Sequence, residues 1–157
     1  MRAKSPGLEA ERTLMRLFFD TSMLVQALVD QLAGHESALA TVLSGQKKGH
    51  GSHLSTHALA GCYTTLTALP SERRVSPSEA LQLIEESILP RMQVVELGKR
   101  DYVKALARVQ KAGLSSGAGY DTLHFIAAEK IREDHIHTCH FNHFNPLAAE
   151  PAKLRIP

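Results

Sequence analysis

The sequence predicts an α/β domain, a parallel sheet with helices on both faces in three α/β/α layers, from three observations. Segments of strand length recur near residues 17–19, 53–56, 93–97 and 135–139, the first a continuous apolar run. Between them, apolar residues return at helical spacing. Helix starts and stops fall in the gaps, with a Ser76-Pro77-Ser78-Glu79 capping box, Pro70, Pro90, Gly34 and Gly113. Strands that alternate with helices imply right-handed crossovers and therefore parallel pairing.

Taken in order, residues 1–14 are charged and lack an apolar period, which predicts a mobile N-terminal extension. Leu17-Phe18-Phe19 ends at Asp20 and reads as a buried strand whose carboxyl end meets a polar site. Val25, Leu28, Val29 and Leu32 follow as a helix that Gly34 closes. A second helix carries Leu39, Val42 and Leu43 and runs out into a loop over 45–49. After the strand at 53–56, a helix buries Leu59, Cys62, Tyr63 and Leu66. The capping box opens the best-defined helix, with Leu81, Ile84 and Ile88 inward. A strand over 93–97 leads to a helix marked by Tyr102, Val103, Leu106 and Val109. A Gly- and Ser-rich loop then delivers a helix starting near Asp121, with Leu123, Ile126 and Ala127 inward, and His135 to Cys139 reads as the last strand. The globular domain is expected over 15–147, with 148–157 as a C-terminal tail.

The chain has 157 residues, which suits one domain and excludes a second core of ordinary size. Its net charge of +2 permits a nucleic-acid partner without requiring one. Two cysteines are too few for a disulfide scaffold; without a signal-peptide pattern they point to a reducing cytoplasm. Asp20 and Gln26 interrupt the longest apolar candidate, so no membrane span is expected.

In an open parallel sheet the ligand crevice lies beyond the carboxyl ends of the strands. Asp20 sits at such an end, Asp121 opens a helix after a flexible loop, and His140 to Phe144 follow the last strand. Carboxylates gathered there would hold Mg²⁺ or Mn²⁺, hard cations that activate water and neutralise charge in phosphoryl chemistry. The same two aspartates also read as ordinary helix caps. Lys47-Lys48, Arg73-Arg74 and Lys99-Arg100 are solvated surface, or phosphate contacts if they flank the crevice.

Leu17 to Ser22, Ser55 to Ala60, Gly119 to His124 and Thr138 to Phe144 together resemble the PIN-domain family, and within it the VapC-type toxins of bacterial toxin–antitoxin pairs. The resemblance spans about residues 15–147. It implies a metal-dependent ribonuclease acting on RNA, a homodimer, and a cognate antitoxin partner that inserts a segment into the catalytic groove. It carries Asp20 and Asp121 over as catalytic, metal-ligating acids, with Thr21 and Ser22 as hydroxyl donors beside the first. A second family acid should fall at position 61, where this chain has Gly61, and a fourth near His143, which becomes a catalytic candidate; His140 stands where the family commonly has Asn, and Thr138 completes the supporting set. His57 belongs to the matching segment and is placed to reach the catalytic face. With two of the usual acids missing, a degenerate PIN domain that binds RNA or antitoxin without efficient cleavage is the alternative.

Gly61 stands in a helix interior, where Gly costs about 1 kcal/mol against Ala, and on the face away from the apolar stripe. That suggests either close approach of another group or loss of a former side chain, and the match of the adjacent residues to the motif favours loss. His135, His137 and Cys139 would share one face of a strand, a zinc-like donor set. Same-face positions stand about 6.5–7 Å apart along a strand, so convergence would need a bulge or an added ligand such as His143.

Overall fold

The computed structural model describes residues 13–157 apart from 71 and 73; the expected N-terminal extension lies, over 1–12, outside the described residues. Five parallel strands form one sheet in the order β3-β2-β1-β4-β5. They are β1 (Arg16–Phe19), β2 (Gly51–Ser55), β3 (Gln93–Val95), β4 (His135–His137) and β5 (Leu154–Arg155). The helices are α1 (Thr21–Leu28), α2 (His35–Lys47), α3 (Thr56–Ala68), α4 (Pro77–Leu83), α5 (Lys99–Lys111), α6 (Ala118–Lys130) and α7 (Phe141–Phe144). Central β1 explains the uninterrupted Leu17-Phe18-Phe19, because a strand covered on both faces has no polar side. Phe19 and Leu17 pack under α1 to α4, whereas Phe18 packs with Phe125, Phe144 and Leu154 on the other face. Burying each phenylalanine contributes about 1.5–3 kcal/mol.

Several elements differ from the sequence expectation. The first helix starts at Thr21, directly after the strand, and ends at Leu28, because Asp20 caps it; Gly34 begins the next helix instead of closing this one. The second helix continues through Gly45 to Lys47, and Gly45 lets it approach β1: a Cβ there would lie 2.8 Å from Leu17 Cδ1. The Ser76 capping box forms as expected, with Glu79 and Ser76 exchanging hydrogen bonds. Its helix then widens into a π-turn over Ile84–Ile88, which rotates the face so that Ala80, Ile84 and Ile88 are buried and Leu81 is not. Tyr63 likewise points outward, Ala58 taking the core position. The expected tail over 148–157 contributes β5, paired to β4 through Ile136–Leu154 and His137–Arg155. A two-residue strand has too little pattern to be read from sequence. Among the described residues no helix is long and apolar enough to cross a membrane.

Candidate active site

Asp20 is the first residue beyond β1, and its N–H still donates to His137 O at 3.2 Å, so the sheet ladder fixes its backbone. Its side chain turns back over the start of α1. Oδ1 accepts from the Met23 N–H at 2.9 Å and from Ser22 Oγ at 2.7 Å, and Oδ2 accepts from Thr138 Oγ1 at 2.7 Å. Asp20 is therefore a helix cap and also a held acid. The loop after β4 is tied to the same atoms, since the Cys139 N–H donates to Ser22 Oγ and the His140 N–H to Thr138 Oγ1. Burial pushes the Asp20 carboxyl up, against the lowering effect of these hydrogen bonds and of the His140 imidazole.

Asp121 sits in the first turn of α6, but the cap position falls to Gly117, so the helix-cap reading of Asp121 is overturned. Its half-buried carboxyl is also pushed up by burial, while His143, His140 and His57 pull it down. The His140 imidazole thus has the same lowering effect on both aspartates. His140 and His143 stack with ring centroids 5.5 Å apart. His57, at the start of α3, lies flat against Tyr120 with centroids 5.2 Å apart and planes 4° apart. Burial lowers its pKa and outweighs the raising effect of Asp121.

Thr21 does not support Asp20 as expected; its Oγ1 lies 3.5 Å from His124 Nε2, and His124 Nδ1 lies 3.3 Å from Ser55 Oγ. Ser55 caps α3 through the Ala58 N–H. The buried His124 is held neutral, its pKa pushed down to about 3 by burial and then by His57. A Cβ at Gly61 would lie 2.7 Å from Thr21 Oγ1 and 3.2 Å from its Cγ2. Of the two explanations for Gly61, close approach is therefore the one seen: Thr21 occupies the space. His124 and Tyr120 were not singled out from the sequence. The signal was available, because positions 120, 121 and 124 share the side of a helix that faces the start of α3.

The two carboxylates fit a divalent hard cation only as part of its shell, the arrangement in which one or two carboxylates hold Mg²⁺ and water or phosphate completes the octahedron. Both acids are shifted toward protonation by burial, the state that an added cation relieves. Among the described residues no group of three or more His, Cys, Asp or Glu has metal-holding geometry. The zinc-like set separates accordingly: Cys139 Sγ packs on Met23 Sδ at 3.6 Å, while Arg155 Nη2 donates to His135 Nε2 at 3.1 Å.

No family model matches the sequence. The chain is 29% identical over 118 residues to Ribonuclease VapC27 of Mycobacterium tuberculosis, spanning 75% of this chain and 80% of that protein. Among solved structures it is similar to M. tuberculosis VapC20, a sarcin-ricin loop cleaving toxin, with a TM-score of 0.63 at 18% identity over 76% of this chain and 86% of that one. VapBC2 from Rickettsia felis, solved on a promoter DNA fragment, gives 0.57 at 16% identity, covering 91% and 99% of the two chains. FitAcB from Neisseria gonorrhoeae gives 0.58 at 16%, covering 89% and 95%. In its sequence and in its five-stranded parallel sheet the chain is thus similar to the VapC ribonucleases, and its fold is the PIN-like three-layer α/β/α arrangement.

Proposed function

We propose that this protein is the ribonuclease of a toxin–antitoxin pair, acting in the cytoplasm and hydrolysing RNA phosphodiester bonds with Mg²⁺ or Mn²⁺. The observation that carries the reading is the buried Asp20 carboxylate, held at the carboxyl end of β1 in a fold shared with VapC ribonucleases. A bound divalent cation would supply charge neutralisation and an acidic water at these carboxylates. Asp20 is oriented for this by Ser22, Thr138 and the Met23 N–H, so its rotamer is fixed before any ligand arrives. His143 and His140 are exposed, and their imidazoles are candidates for proton transfer to a leaving oxygen. The His57–Tyr120 stack offers an exposed flat surface next to Asp121, suited to an unpaired base.

The relatives solved as VapBC2 and FitAcB support a small antitoxin as the protein partner. A homodimer is the other association we infer, through α5, where Tyr102, Val103 and Leu106 are apolar yet exposed. Sedimentation of wild type and Leu106→Glu tests it, a monomeric variant being the expected outcome. Thr21 standing where an acid at 61 would project favours a second reading, a PIN domain that binds without efficient cleavage. Cleavage of a mixed RNA pool under Mn²⁺ by wild type, Asp20→Asn and Asp121→Asn decides between them. Loss in both variants supports the nuclease, and a silent wild type that still retains RNA supports the binding reading.

A further inference from the structure

Between α2 and the β1–β4–β5 side of the sheet lies a cavity of about 440 Å³ that the nuclease reading leaves unused. His135 and His137, two apart on β4, both project to it, and β5 adds Arg155. His137 is 8% exposed and stacks on Phe19 with centroids 4.9 Å and planes 16° apart. Both of its ring nitrogens are buried with no hydrogen-bond partner. An imidazole in that state calls for a partner that the protein does not provide.

The other lining groups define the chemistry of that partner. His50 Nδ1 accepts the Met15 N–H at 3.1 Å, which leaves its Nε2–H as a donor. His135 Nε2 accepts from Arg155, which leaves its Nδ1–H as a donor. Arg155 also anchors Nη1 on the Ala152 and Leu154 carbonyls, so its guanidinium is fixed in place. Lys48 and Ser44 complete the polar wall, and no Asp or Glu lines the cavity. Two permanent cations and a surplus of donors repel a metal ion and suit an oxyanion. Met15, Leu17 and Ala40 supply an apolar wall for the body of a small ligand.

We propose that this cavity is a binding site for a phosphate-class oxyanion, held by Arg155, Lys48 and the ring nitrogens of His50, His135 and His137. Free phosphate and a nucleoside monophosphate share that chemistry, and the latter would also use the apolar wall. The site is separate from the acidic crevice, so it stands or falls independently of RNA cleavage.

Histidine-ring ¹H–¹⁵N spectra of the full chain, titrated separately with inorganic phosphate and with a nucleoside monophosphate, test the proposal. Saturable shifts of His137 and His135 are expected, with Arg155→Gln weakening binding by about tenfold or more. His137→Phe, which keeps the stack on Phe19, should abolish it. Tighter binding of the nucleotide would assign the apolar wall to its base, and equal binding would identify phosphate itself; both support the site. Asp20→Asn should bind as wild type does, which separates this test from that of the nuclease. Flat spectra at tens of millimolar of either ligand, or an affinity unchanged in Arg155→Gln, would overturn the proposal. If His137→Phe does not fold, the exposed Arg155 variant still decides.

Discussion

Replacing Gly61 is the most informative single perturbation of the crevice. In an open helix interior Gly→Ala stabilises by about 1 kcal/mol, and the missing acid would suggest Gly61→Glu as a gain of function. The structure opposes both, because the new Cβ would meet Thr21 Oγ1 at 2.7 Å and Cγ2 at 3.2 Å, on a stiff β-branched side chain. Overpacking of this kind costs about 1–3 kcal/mol. Gly61→Ala in wild type should therefore be neutral to destabilising by about 2 kcal/mol. In a Thr21→Ala background the nearest remaining atom is Thr21 Cβ at 3.5 Å, an ordinary contact, and the same change should stabilise by about 1 kcal/mol. Urea unfolding of the four proteins gives a coupling energy of about 1–3 kcal/mol. The same logic makes Gly61→Glu ineffective alone and able to raise Mn²⁺ affinity, read by calorimetry, only with Thr21→Ala. If Gly61→Ala stabilises wild type and the Thr21→Ala protein equally, Thr21 does not fill the position and the steric account is wrong.

Asp20→Asn should lower RNA cleavage by about a hundredfold or more, with circular dichroism unchanged, since Asn Oδ1 can still accept the Met23 N–H. His124 and His137 have folded pKa values depressed to about 3 and about 4, below the unfolded value near 6.5. The unfolded chain thus binds more protons, so their penalty is absent above about pH 6.5 and grows as pH falls toward 4, reaching about 2 kcal/mol each at pH 5. Urea midpoints at pH 7.5 and pH 5 check this, and His137→Phe should shrink the difference. Ser76→Ala should cost about 1 kcal/mol by urea unfolding, as it removes the acceptor for the Glu79 N–H.

Local chemistry in the sequence determined most of the scaffold. Three consecutive apolar residues before Asp20 implied a strand covered on both faces, and the Ser76 capping box marked a helix start to the residue, because both signals act within a few positions. The four segments quoted from the sequence singled out Asp20 and Asp121, which the fold puts directly after β1 and in the first turn of α6. Their surroundings were decided only by packing between elements. Thr21 filling the place of a side chain at Gly61, His124 pinned between Thr21 and Ser55, and the parting of Cys139 from His135 depend on distances across helices and strands that no spacing encodes. The π-turn at Ile84–Ile88 and the short β5 have the same origin: each is stabilised by tertiary contacts that outweigh a weak local preference.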